Sequence, residues 1–506
     1  MLRLFGCTAL LSAILVAAAS APAGAQVAAG YQPRFEPAAC PSDPPAPLPT
    51  TARCGFLVVP ENRRQPAGKT IRLAVMIVPS VAQPAAPDPI VHLTGGPGGI
   101  AFFEAQELVA AGFNQRRDLI LMNQRGTYYS QPALICPVID RFNVRALGRR
   151  YDSESTRRLH VAATRSCRRQ LVRRGIDIAA YNTTENAADF ADLRSALGIA
   201  QWNVFGVSYG TDLARTLMRD HPEGIRSVVL DSTVPPNIVK LPGFWPNARD
   251  GFDALFRACH SQRRCSRRLP RLKQTFTRLV RRLEARPLRT TVRDPTTRAR
   301  TEVVLDGGAL VNWLVGMAFS TPLYKNVPSW IGELAAGKPN SIAASRAQGI
   351  LAAPPGFVGY GLVYGVVCRE WTPFARERGI LRAGRRAFPR YPASVLAQAP
   401  QFPYMYDDCR VWDVPRAPAG FRRPVRSQIP TLLLSGDFDA VTPFAWARGA
   451  ARTLPNSSIV RIPGVGHFVA PESPCAQQVM ASFLTRPDAP DAGCVAALRP
   501  PTFVFP

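Results

Sequence analysis

Histidine is scarce in this 506-residue chain, which has five, and acidic side chains are few, 35 against 62 lysines and arginines. The eleven cysteines include no C-x-x-C pair and no Cys/His cluster at zinc-ligand spacing, so no metal and no cofactor is expected. No stretch after the first 26 residues approaches twenty uninterrupted apolar positions, which excludes a helical membrane span there. No repeat of solenoid period is visible. The glycine-dense loop Thr94 to Gly99 lacks the Lys-Ser/Thr ending of a phosphate loop. The shortage of acid leaves a formal charge of +27 and a pI near 10.6. The arginines are strung out in pairs such as Arg168-Arg169, Arg173-Arg174 and Arg263-Arg264, without interleaved aromatics. They read as a solvated basic face attracted to an acidic cell envelope, not as a nucleic-acid site.

What is present is a large globular chain, 46% hydrophobic with a mean hydropathy of -0.03. Met1 to Ala25 carries Arg3, an apolar run from Leu4 to Ala19 and the small residues Ala23-Gly24-Ala25, the composition of a secretory signal. Secreted or periplasmic location is therefore expected. Setting aside Cys7, ten cysteines remain, an even number suited to an oxidising compartment. Proximity suggests the pairs Cys40 with Cys54, Cys136 with Cys167, Cys259 with Cys265, Cys368 with Cys409, and Cys475 with Cys494, although spacing alone does not fix connectivity.

Buried strands and helices alternate from about Pro89 to Asp231, and the pattern resumes at Thr431. This predicts an α/β fold with a mostly parallel sheet, helices on both faces and an inserted, mainly helical cap. The expected organisation is a signal peptide over 1–25, a first core part over 26–234, a cap over 235–426 and a second core part over 427–506. Residues 27–51 read as an irregular arm, and Thr184 as the N-cap of the helix before the central strand.

The chain is organised around W-N-V-F-G-V-S-Y-G-T-D, Trp202 to Asp212. A serine hydroxyl becomes a useful nucleophile when a sharp strand-to-helix turn holds it near a base and beside N–H donors for an oxyanion. Gly206 and Gly210 permit such a turn around Ser208. Further along stand Asp439, in S-G-D-F-D-A-V-T-P, and His467, in P-G-V-G-H, completing the order serine, acid, histidine. Asp437 competes with Asp439 as the acid. Of the other histidines, His92 lies in a presumed buried strand, His221 at a helix end, and His160 and His260 in basic helical stretches.

Together with H-L-T-G-G-P-G-G, N-Q-R-G-T-Y-Y-S and H-P-E-G-I-R-S-V-V-L-D, these motifs resemble the secreted α/β-hydrolases related to proline iminopeptidase and tripeptidyl aminopeptidase, from about Cys54 to Cys494. The resemblance implies an α/β-hydrolase fold and an aminopeptidase that releases proline or short peptides from free N-termini. It places Ser208, Asp439 and His467 in the catalytic positions and the N–H groups of Gly96 and Tyr209 in the oxyanion hole. Asn123 and Tyr128 depart from the aspartate and glycine usual in the family, in a segment expected to shape the pocket wall. Glu370, in V-V-C-R-E-W, occupies a cap position where similar enzymes place an acidic group for the substrate ammonium. The expected partner is a peptide with a free N-terminus; oligomeric state is left open. Two alternatives stand beside this reading: an esterase or lactonase using the same residues, and a non-catalytic basic protein that binds the envelope.

Overall fold

The computed structural model describes residues 31–42, 47–151, 153–235 and 237–505, so the expected signal segment lies outside the described residues. From Pro33 onward the chain forms one compact unit. Its strands are β1 (Arg34–Ala38), β2 (Arg53–Pro60), β3 (Thr70–Val78), β4 (Ile90–Leu93), β5 (Leu119–Met122), β6 (Trp202–Val207), β7 (Ile225–Asp231), β8 (Leu288–Arg293), β9 (Arg300–Leu305), β10 (Thr431–Gly436) and β11 (Ser457–Ile462). Nine of them make one sheet in the order β1-β2-β3-β5-β4-β6-β7-β10-β11. From β5 to β11 every pairing is parallel, whereas β1, β2, β3 and β5 pair antiparallel.

Composition explains the division. The parallel strands β4, β5 and β6 are buried along their whole length and read as continuous apolar runs, because helices cover both faces. The edge strand β1, R-F-E-P-A, is half exposed. It overturns the irregular reading of residues 27–51: Pro37 tolerates an edge position, and pairing with β2 supplied the order that local composition did not.

One apolar cluster packs the helices Ala101–Ala110 and Pro474–Thr485 against the sheet. The other spans the segment between β7 and β10, where the helices Lys240–Ser261 and Leu272–Ala285 bury Phe244, Phe252, Phe256 and Phe276. That segment also contains the two-stranded antiparallel sheet β8-β9. Apart from Val292 and the short buried run Val303 to Leu305, its arginine- and threonine-rich strands are exposed or half-exposed, so no long apolar run marks them in the sequence. Disulfides join Cys40–Cys54, Cys136–Cys167, Cys259–Cys265, Cys368–Cys409 and Cys475–Cys494. No helix among the described residues is long and apolar enough to cross a membrane.

Candidate active site

The loops after β4, β6, β10 and β11 meet at the C-terminal edge of the parallel sheet, where such sheets place their reactive groups. They border one cavity of about 700 Å³, whose walls include Gly95, Gly96, Ser208, Tyr209, Thr442 and His467.

Ser208 follows β6 and precedes the helix Tyr209–Asp220 with φ 54° and ψ -122°. A non-glycine residue in this region is strained and persists only where its surroundings hold it. Those surroundings require glycine: a Cβ on Gly210 would lie 1.8 Å from the Leu93 carbonyl oxygen, and one on Gly206 would lie 2.5 Å from the Gly210 carbonyl oxygen. The Ser208 N–H donates to the Asp231 carbonyl at 3.0 Å, which ties the turn to β7. Gly95 packs so close that a Cβ there would meet the Ser208 Cβ at 2.9 Å. The glycine loop is thereby brought against the serine. Among the described residues the N–H groups of Gly96 and Tyr209 have no acceptor.

His467 and Asp439 are joined: His467 Nδ1 lies 2.8 Å from Asp439 Oδ2, and both residues are buried. Thr442 donates its hydroxyl to the same oxygen at 2.6 Å, while the N–H groups of Val441 and Thr442 donate to Oδ1. Burial pushes the Asp439 carboxyl up, but the adjacent imidazole and these donors outweigh it and hold the group below the usual carboxylate range. Asp437 instead pairs with Arg461 and is partly exposed. Nε2 of His467 is enclosed without a hydrogen-bond partner, so Ser208 does not donate to it here. Such bonds commonly tighten only when substrate binds.

The histidine loop is braced from two sides. Asp231, at the end of β7, accepts the N–H groups of Val469 and Ala470 at 2.9 and 2.7 Å and the Ser232 hydroxyl at 2.9 Å. Burial raises its carboxyl to about 6 despite these donors. From the segment between β9 and β10, the Ala318 carbonyl accepts the His467 N–H at 2.6 Å, and the Phe319 ring meets the imidazole edge-on with centroids 4.8 Å apart. Asp231 closes the H-P-E-G-I-R-S-V-V-L-D motif, but its role as a brace, like that of Phe319, comes from contacts between segments far apart in the chain.

Glu370 is not in the cavity wall. It lies on a π-helical turn, 2% exposed, and accepts the Thr183 N–H at 2.9 Å together with the Thr183 hydroxyl. Both oxygens serve the first turn of the helix Thr183–Ala196, whose N-cap is Asn182 and not Thr184. The expected meeting of Glu370 with a substrate ammonium is thus not what its placement provides: the carboxylate binds a helix N-terminus. Burial pushes its carboxyl up to about 7. A carboxyl raised in the fold contributes stability that is complete below its ordinary value near 4.5 and is lost as pH rises through about 7. Glu370→Gln is expected to flatten the fall in stability across that window, by up to about 3 kcal/mol, read from denaturant midpoints at successive pH values.

Asn123 and Tyr128 also stand outside the cavity wall. The Asn123 amide accepts the Phe102 N–H and donates to the Tyr128 carbonyl at 2.8 Å, a donation that an ionised aspartate could not make. Arg125 of the same motif is structural, with Nε and Nη2 donating to Asp189 at 2.7 and 2.8 Å. The carboxylates that do line the cavity are Glu104 and Asp408. Glu104 is bonded to Thr94 and His92, and Asp408 to Thr164 and His160. No cluster of metal-binding side chains occurs among the described residues.

Residues 88–474 match the alpha/beta hydrolase fold family. The chain is 24% identical over 480 residues to serine protease Hip1 of Mycobacterium bovis, covering 89% of this chain and 88% of that protein. It is 28% identical over 216 residues to the tripeptidyl aminopeptidase of Streptomyces coelicolor, a match over 41% of this chain that spans only 39% of that relative's length. Among solved structures, the proline iminopeptidase of Mycobacterium smegmatis aligns over 86% of this chain and 98% of its own, with 16% identity and a TM-score of 0.37. With its parallel sheet and the family match in agreement, this chain belongs to the α/β-hydrolase fold family and is a serine hydrolase.

Proposed function

We propose that the protein is an exported aminopeptidase that removes short peptides from free N-termini through an acyl-enzyme formed on Ser208. The observation that carries the chemistry is the 2.8 Å contact of His467 with buried Asp439 in the cavity that Ser208 enters at φ 54°. Asp439 holds the imidazole in the tautomer with its proton on Nδ1, leaving Nε2 to accept the serine proton and return it to the departing amine. The attacked carbonyl oxygen becomes negative and is stabilised by the Gly96 and Tyr209 N–H groups, the latter at a helix N-terminus. Water then releases the acyl group by the same proton route.

The similarity to proteins named as serine protease and tripeptidyl aminopeptidase supports a peptide substrate. A buried ammonium needs an anion. With Glu370 turned to Thr183, the role falls to a carboxylate of the cavity wall, Glu104 or Asp408, and we assign it to Asp408. Five disulfides support an oxidising compartment and hence export. The segment 235–426 is assigned as the cap.

The test is a panel of aminoacyl and tripeptidyl arylamides with free and acetylated N-termini, run beside short acyl esters. Free tripeptidyl arylamides are expected to be the best substrates, and Asp408→Asn to raise KM for them by about tenfold. Equal rates on free and acetylated peptides would remove the aminopeptidase reading, and turnover of esters alone would make the enzyme an esterase.

A further inference from the structure

The far wall of the cavity holds a cation that the chemistry at Ser208 does not use. Arg346, on the helix Asn340–Leu351, lines this wall. Among the described residues no hydrogen bond or ion pair engages its guanidinium, and Nε and Nη1 are enclosed by protein without partners. The field of Asp306 reaches it. Both Asp306 oxygens are nevertheless committed elsewhere, accepting the Ala309 N–H at 2.7 Å and the Tyr151 N–H at 2.5 Å. A guanidinium does not discharge in a protein, and enclosing it with open donors is costly. A ligand that brings an anionic acceptor into the cavity offsets that cost.

The helix Gly307–Gly316 and the turn after it run along the cavity. Its N-terminal end is capped by Asp306, which also accepts the Tyr151 N–H. Its C-terminal end leads to Phe319 on the His467 ring. Asn312, Val315, Gly316 and Phe319, one face at helical spacing, all line the cavity. Tyr404, Asp408 and Arg346 line this same cavity.

We propose that Arg346 binds a carboxylate of the substrate, so that the enzyme selects acidic peptides. The proposal rests on the peptidase reading above. Asp408 and Arg346 in one cavity offer a partner each to an ammonium and a carboxylate, which favours an N-terminal aspartate or glutamate. A C-terminal carboxylate on a short leaving peptide offers the same chemistry.

Tripeptidyl arylamides carrying Glu or Gln at the first, second or third position, and neutral short peptides with free or amidated C-termini, separate the sources. The wild-type enzyme is expected to favour Glu over Gln at the first position by about tenfold or more in kcat/KM, and Arg346→Gln to bring the ratio towards one. Arg346→Lys, which keeps the charge, is expected to retain part of the preference. A preference for free over amidated C-termini that R346Q abolishes would still assign the site to a carboxylate, from the leaving peptide. Wild-type ratios of one, or ratios unchanged in R346Q, would overturn the proposal, and the wild-type arm needs no variant to fold. If esters are cleaved and peptides are not, the peptidase reading fails separately. Esters ending in a carboxylate or a carboxamide then read Arg346 by the same ratio.

Discussion

Replacing Ser208 with alanine is expected to lower turnover by on the order of 10⁶-fold while the protein remains folded. The size follows from the role. Without the hydroxyl there is no acyl-enzyme, and the remaining donors and cavity give only the small acceleration that binding and an oxyanion hole supply by themselves. Retention of the fold follows from the geometry. The Ser208 side chain makes no hydrogen bond that packing depends on, and alanine meets the same strained φ of 54° that serine already endures. Turnover by the purified variant, corrected for its unfolding curve, checks both parts. An active Ser208→Ala enzyme would remove the serine from the mechanism.

Asp439→Asn is expected to cost about 10⁴-fold in kcat with little change in KM. An asparagine amide at 2.8 Å from Nδ1 favours the wrong imidazole tautomer, placing the ring proton on Nε2, where a base is needed. It also withdraws the negative charge that stabilises the imidazolium formed as Ser208 attacks. The neighbouring Asp437→Asn change is the internal control. That carboxylate pairs with partly exposed Arg461, and its loss is expected to alter kcat by no more than a few-fold. Parallel kinetics on the two variants separate a catalytic acid from a turn residue two positions away. Comparable losses would undo the distinction.

Much of this site was readable in one dimension because its chemistry imposes local constraints. Glycines must flank Ser208 where Leu93 and Gly210 carbonyls crowd the turn, and the loops that bear Asp439 and His467 must follow buried strands. The run of apolar strands likewise announced the parallel half of the sheet. Features that depend on distant partners were not readable. Glu370 carries the right charge in the right region, yet Thr183, 187 positions earlier, takes both its oxygens. Asp408 and Arg346 come from separate helices between β9 and β10 and gain meaning only from the cavity they share. The edge strand β1 depends on β2, and the hairpin β8-β9 is too polar to announce burial.

The account rests on a single activated serine in a chain with many. Intact-mass and peptide-mapping mass spectrometry after treatment with a fluorophosphonate tests it most directly, because an ordinary serine hydroxyl does not react. The expected result is one adduct per chain, on the peptide carrying Ser208, lost in Ser208→Ala and strongly slowed in His467→Ala. An unmodified protein, or an adduct on another serine, would contradict the account.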